Sequence, residues 1–455
     1  MKIGFAKVDI TPRVGVELAG FGPFIHRYST LVRDRIWARA MAVEQDGKTL
    51  VLVSCDLLGV QKEIAQKVRK IVQAETGIPP EAVMVHCTHT HSAPNAGGYG
   101  GWGAPDEPYI ELLPARIARA CLGALDRLEP AEMWHAVVPC EGIGLNREYD
   151  QDAPPLEDVL KDDWRPAKPE LTDTACQVIK FISRATGRTA GFMTYFGCHP
   201  VVCCSQNRQI HGDYCGVATN LLEREMPGSV GLFLQGANGD VNTCVVHKPE
   251  QESLLALDII ATRYANAVRS GLQTAKPMPV DSLETKTLEA VFSRKDLSLE
   301  KLRSMLAEKE AVLNATDASD ADKNVRMTTV NILALRKIIN AIEKGRPVAP
   351  PIELQMMRIG PVGLFGTPFE VFQAIKNEFC SKSQTKIPLL MSVANDTLGY
   401  APDRTAAARG GYAADTVPMI IGTLPFARIH DELVENLLAL ERMNLNQLQK
   451  SSKTR

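Results

Sequence analysis

Short apolar runs that end in polar, glycine-rich loops recur along this 455-residue chain, with helical periods between them. That alternation constrains the fold more than any other feature. AVMVHC runs into THTHSAP, MTYFG into CHPVV, and SVGLFLQ into GANGDVN. Residues 34–60 hold two β-rich runs around QDGK, whose Asp-Gly dipeptide predicts a hairpin ending at Asp56. Residues 61–76, 109–128 and 253–272 keep helical spacing, and 173–182 with 188–197 read as paired strands around Thr186-Gly187. Interleaved strands and helices predict an α/β fold with mixed α+β layers and mixed sheets.

Residues 295–346 differ in texture. Leu302, Met305, Leu306, Val312 and Leu313 share a helical face, and after NATDASDAD so do Val330, Leu333, Ile338, Ile339 and Ile342. The pattern predicts a helical-hairpin insertion in a single domain spanning 1–440. PVAPPIELQ returns the chain to strands, and RIGPVGLFGTPFE closes a second hairpin. The polar segment 441–455 is expected to fray.

Composition excludes several classes. Fifty-one Lys+Arg against 53 Asp+Glu give a net charge of −2, so no basic excess supports nucleic-acid binding. A hydrophobic content of 45% suffices for a packed core and argues against disorder. No run approaches the ~18 apolar residues of a membrane-spanning helix. MKIGFAKVDITP lacks the apolar core of a secretion signal, which predicts a cytoplasmic protein. The eleven cysteines are an odd number without a CxxC pair, and Cys203 and Cys204 are adjacent. Buried reduced thiols are therefore expected, six of them close in sequence to the histidine motifs.

The strongest chemical signal is HCTHTHSAP. Strand alternation places Val83, Val85, Cys87, His89 and His91 on one face, with the two imidazoles at the strand end where ligands bind in α/β sheets. His86 points the other way and reads as structural. Two such histidines suit a metal or an acid–base pair. By the same alternation, Cys87 should be the thiol nearest them. In TYFGCHPVV a second apolar strand delivers His199, and HGDY adds His211 and Asp213 as supporting partners. Glu370 in FGTPFEVFQAI opens a helical run, where the helix dipole also favours a carboxylate. The loop VANDTLGYAPDR carries Asn395, Asp396, Tyr400 and Arg404. GLNREYD offers Asn146 and Arg147 as substrate clamps, and QGANGDVN is a further polar loop.

This series — DITP near the start, THTHS, a strand-end HP, NGDV, a late P-x-E and a Gly-Tyr loop — resembles the neutral/alkaline ceramidase family over roughly residues 1–430. The resemblance implies a zinc ion held by His89, His199, Glu370 and Tyr400. It also implies proton transfer by His91, a further tyrosine at Tyr412 and a substrate pocket lined by Asn146 and Arg147. Zn²⁺ lowers the pKa of a bound water from 15.7 towards about 7 and polarises a carbonyl. The chain departs from the family in three ways. It shows no secretion signal. It ends soon after the catalytic portion, without a C-terminal immunoglobulin-like domain. It has Asn242 where the family has serine after Gly-Asp-Val, and asparagine cannot serve as an acyl nucleophile.

The sequence therefore predicts a zinc-dependent hydrolase in which metal-activated water attacks an amide, or an ester or lactone, of a small polar molecule rather than of ceramide itself. Asn146, Arg147, Asn242 and Asp213 are the candidate substrate contacts, and Tyr99, Trp102 and Tyr109 sit in a loop able to stack on a sugar. Two other readings stay open: glycan-directed chemistry on the same metal site, and an inert ligand-binding protein. The expected partner is a small N-acyl compound, ester or sugar derivative, without nucleic acid or a transmembrane segment, and a homo-oligomer is left open.

Overall fold

The computed structural model describes residues 1–97, 100–150 and 154–443. A nine-stranded mixed sheet dominates it. The strand order is Val230–Gln235, Thr189–Phe196, Ala175–Ser183, Glu129–Pro139, Lys2–Asp9, Trp37–Gln45, Lys48–Cys55 and Val83–Cys87, with Lys276–Met278 paired beside Glu129–Pro139. The outermost pair at each end is parallel. The expected hairpin forms around Asp46-Gly47, with Gln45 opposite Lys48 and positive φ at both turn residues, as a tight two-residue turn requires.

Alternation along the strands sorts two cores. Ile3, Phe5, Met41, Val43, Leu50, Leu52 and Met84 point into one core, shared with Leu283, Met357, Leu364 and Leu389 of a four-stranded sheet. Ala38, Ala40, Ala42, Val51, Val53, Val83, Val85 and Cys87 point the other way, beneath helices Lys62–Thr76 and Glu107–Leu125. Small side chains let that helix layer sit close. A Cβ on Gly4 would lie 2.0 Å from the Ala124 carbonyl oxygen. Helices Asp213–Glu225 and Glu250–Thr274 cover the other end of the sheet through Phe192, Phe196, Tyr214, Ile260 and Tyr264. Each large side chain buried this way contributes about 1.5–3 kcal/mol before chain entropy is set against it.

The sheet curls so that the strand Val230–Gln235 at one end packs across side chains of Lys48–Cys55 and Val83–Cys87 at the other. The Gln235 amide donates to His86 Nε2 at 3.0 Å, and His86 Nδ1 lies 2.9 Å from Ser54 Oγ. Ser54 Oγ in turn donates to the Phe233 carbonyl at 2.7 Å. With Nε2 accepting, Nδ1 carries the proton, and burial pushes the imidazole pKa down to about 3. His86 is therefore a structural closure, as its strand face predicted. With the two ends of the sheet packed together, the loops that leave Val83–Cys87 and Thr189–Phe196 bring His89 and His199 side by side.

The helical pair forms as helices Leu299–Leu313 and Lys323–Glu343, N-capped by Ser298 and Asp322. Leu302, Leu335 and Ile338 pack with Met419 and Leu424. The start of the expected tail is corrected. Helix Ile429–Arg442 extends through residue 442, because Leu433, Leu437 and Leu440 stay buried against the four-stranded sheet. Residues 444–455 lie outside the described residues. No described helix is long and apolar enough to cross a membrane.

Candidate metal centre and active site

His89, His91 and His199 converge, with ligand-type atoms within 4.8 Å of one another. The strand ends at Cys87, and His89 adopts φ +70, a left-handed conformation that is unusual for a residue with a Cβ. This break corrects the alternation argument. Cys87 stays in the helix-side core with Val83 and Val85, while His89 turns towards His199.

Two backbone carbonyls set the imidazole tautomers. His89 Nδ1 donates to the Leu58 carbonyl at 2.7 Å, and His199 Nδ1 donates to the Asn238 carbonyl. A carbonyl can only accept, so each Nδ1 carries its ring's proton and each Nε2 keeps a lone pair. Both lone pairs face Glu370 Oε2, at 3.3 Å from His89 and 2.9 Å from His199. Burial holds His199 near pKa 4, so the ring is neutral at pH 7. Desolvation alone would raise the Glu370 pKa, and its carboxyl falls well below the usual carboxylate range only when positive charge sits where the two rings face it, the place a cation would take. Two lone pairs and a carboxylate oxygen thus surround one point with no donor among them, and His89 Nε2 is a buried atom without a hydrogen-bond partner. A cation is what such a donor set lacks, and two imidazoles with a carboxylate suit a zinc-class ion.

Glu370 does not open a helix, as the sequence suggested. It lies in the two-residue strand Glu370–Val371, parallel to Tyr400–Ala401, and the helix begins at Gln373. This pairing brings Tyr400 to the site, with its ring 6.5 Å from His199. Burial raises the Tyr400 pKa well above that of a free phenol, so its hydroxyl keeps the proton unless a cation displaces it. Arg147 lies 5.0 Å over the Tyr400 ring and donates to the Gly239 carbonyl. Tyr412 is 46% exposed and stands 6.0 Å from Tyr400.

His91 completes the cluster, 5.0 Å from the His89 ring. Both its nitrogens are buried without a partner, and burial pushes its pKa well below the ordinary value. Neutral and uncommitted, it is available to take a proton. The central cavity, about 40 Å³, is lined by His89, His91, Glu370, Tyr400 and Tyr412, with Gly20, Leu58, Trp102, Val417 and Ile420 around them. A space of that size holds a water or two and a small reacting group. Sequence reasoning missed Gly20, Leu58, Val417 and Ile420, because apolar and glycine positions carry no chemical label.

None of the four expected substrate contacts lines this cavity, and Arg147 meets it only through the Tyr400 ring. Asp213, fully buried, turns back to accept from the Tyr214, Val202 and Cys203 amides, and burial raises its pKa to about 6. Asn146 donates to the Leu171 carbonyl and to Asp240 Oδ2, and it lines a separate polar cavity of about 280 Å³. Asn242 sits on the buried strand Val241–Thr243 against Gly144–Asn146. A second buried group, Cys203, His211 and Asp213, also lies within 4.8 Å. Amide nitrogens already face both ring nitrogens of His211, at 3.1 and 3.3 Å, so neither is free. Asn395 is tied into a network with Glu353 and Gln355, and Arg404 pairs with Glu378 and Asp431 at the surface. Tyr109 is buried, with its hydroxyl donating to the Ile10 carbonyl, and Tyr99 lies outside the described residues.

Ten cysteines are buried, Cys380 is half-buried, and all eleven are free thiols. Desolvation raises the thiol pKa at Cys87, Cys198 and Cys203, which suits the packing role.

Comparison with known proteins follows the same lines. The family described as neutral/alkaline non-lysosomal ceramidase, N-terminal, matches residues 1–248, more than half of the chain. The crystal structure of neutral ceramidase from Pseudomonas aeruginosa superposes with a TM-score of 0.72 at 19% identity, covering 97% of this chain and 74% of that one. A structure titled as ceramidase complexed with C2 gives a TM-score of 0.72 at 18% identity and the same coverages. With the fold shared over nearly the whole length and the family matched over its first half, this chain belongs to the neutral/alkaline non-lysosomal ceramidase family, a family of hydrolases.

Proposed function

We propose that this protein hydrolyses the amide bond of a small N-acyl compound with the help of a zinc-class divalent cation. The observation that carries this reading is the unmatched set of acceptors, His89 Nε2, His199 Nε2 and Glu370 Oε2, around one buried point. Tyr400 stands beside them as a fourth candidate ligand. When bound, such an ion polarises a carbonyl and makes water acidic near neutral pH.

The chain's own residues then divide the remaining work. The Leu58 and Asn238 carbonyls fix the rings of His89 and His199. Glu370 stays ionised and balances the charge. His91, neutral and unpartnered, accepts the proton from the attacking water and returns it to the departing amine. The phenol of Tyr412 reaches the cavity as a donor for the developing oxyanion. Arg147, stacked on Tyr400, holds that ring in place. Leu58, Trp102, Val417 and Ile420 give the cavity an apolar wall, which supports an acyl group there rather than a sugar.

The test is an assay of the purified protein, with its metal content measured, against N-acyl lipids of graded chain length, small amides, esters and glycosides, with and without chelator. Chelator-sensitive turnover of short N-acyl compounds is expected. Protein that binds no metal, or turns over glycosides alone, would overturn the reading.

A further inference from the structure

Among the described residues, no acid forms an ion pair with one buried charge near the site. Arg27 is 3% exposed, and among the described residues its guanidinium donates only to backbone carbonyls, those of Ala19, His91 and Asn207. The His91 contact is 2.8 Å and the Asn207 contact 3.2 Å. A buried guanidinium is costly to desolvate, so its three acceptors are a specific arrangement rather than an accident of packing. They lie on three segments: the loop that carries Gly20 and Phe21, the THTHS turn, and the stretch that follows His199.

The same guanidinium lies 4.9 Å over the Phe21 ring, and Phe21 meets the His91 ring at 5.1 Å in a T-shaped contact. Gly20, next to Phe21, approaches so closely that a Cβ there would be 2.4 Å from His91 Nδ1. The His91 ring has no hydrogen bond of its own. Its position therefore depends on the backbone that Arg27 anchors and on the aromatic face that Arg27 supports. His89 and His199, by contrast, are each pinned by a carbonyl at Nδ1.

We infer that Arg27 is a positioning residue for His91. It locks the backbone of the proton-transfer histidine through the His91 carbonyl and its ring through Phe21, while leaving the metal ligands to their own anchors. The inference rests on the proposed role of His91 in amide hydrolysis. Lysine cannot replace it fully, since an ammonium lacks the planar fork that spans several carbonyls and stacks on an aromatic ring.

The experiment compares wild type with Arg27→Met and Arg27→Lys. It measures metal per chain, thermal unfolding, kcat and KM on a short-chain N-acyl substrate, and imidazole NMR signals of ¹⁵N-histidine-labelled protein, with His91 assigned through His91→Gln. The folded Arg27→Met protein should keep its metal and a KM within a few-fold of wild type, while kcat falls about 10²-fold, the scale of an ångström-size misplacement. The His91 signals should shift while those of His89 and His199 stay. Unchanged kcat, or a kcat loss that merely follows metal loss, would overturn the inference. If Arg27→Met does not fold, the His91 signals of Arg27→Lys decide it: shifted signals support the inference and unshifted ones overturn it. If the wild type cleaves no amide or ester, the proposed function fails, and the same NMR comparison still tests the positioning.

Discussion

Replacing Gly20 by alanine should silence the site without emptying it. Gly20 has φ +116, which an L-residue adopts only under strain, at about 1–3 kcal/mol. Its new Cβ would stand 2.4 Å from His91 Nδ1, 2.6 Å from Cγ and 2.9 Å from Cβ. Ordinary contact begins near 3.4 Å, so the His91 ring must retreat by about 1 Å. A shift of that size costs about 10²-fold in rate, or about 2.7 kcal/mol of activation free energy. The backbone strain is small against the 5–15 kcal/mol typical of a folded protein, so the variant should fold. The proposed metal ligands His89, His199 and Glu370 have anchors elsewhere, at Leu58, Asn238 and the Tyr400 strand. Steady-state kinetics on a short N-acyl substrate, with metal content and thermal unfolding measured on the same preparation, checks each step. A folded Gly20→Ala protein with wild-type kcat would refute the placement of His91 in proton transfer. Metal loss in parallel with activity would show that the clash disturbs the ligands instead.

Four further outcomes are expected. Glu370→Gln removes the charge that faces both Nε2 lone pairs, so metal per chain, measured by elemental analysis after dialysis, should fall sharply while the protein stays folded. Arg39→Met leaves the buried carboxylates of Asp56 and Glu223, now 2.7 and 3.0 Å from the guanidinium, without it. Urea unfolding should then show a loss of about 3–5 kcal/mol. Asp240 is pushed by burial to about pKa 6 from 3.8, so the folded state holds its proton to higher pH than the unfolded chain. The stability it contributes is complete below about pH 4 and is lost as pH rises through 6. The advantage of wild type over Asp240→Asn should therefore shrink by up to about 3 kcal/mol between pH 4 and 7, and a pH-independent difference in urea melts would contradict this. A thiol reagent should label Cys380 alone in the native protein and all eleven cysteines in denaturant.

Much of the architecture was legible because it depends on local periodicity. The hairpin at Asp46-Gly47, the helices at 62–76 and 250–274 and the helical pair at 299–343 all follow from spacing and turn chemistry. The grouping of His89, His91 and His199 was legible as well, since histidines at strand ends have few structural reasons to be there. Strand counting failed at Cys87 and His89, where the chain leaves the ladder and a left-handed residue resets the side-chain direction. It failed again at Glu370, which sits on a two-residue strand too short to show a period.

The sequence by itself determined which elements form and which side chains can bind a cation, because both depend on neighbours along the chain. Only the tertiary structure decided which of the polar candidates share a cavity. Asp213, Asn146 and Asn242 have the right chemistry, but backbone amides, a neighbouring carboxylate and a buried strand claim them first. His89 and His199 come together through the curl of the sheet, across which the His86 side chain ties Val83–Cys87 to Val230–Gln235. Tautomer, desolvation and the convergence of lone pairs on Glu370 follow from that long-range packing, which no local pattern encodes.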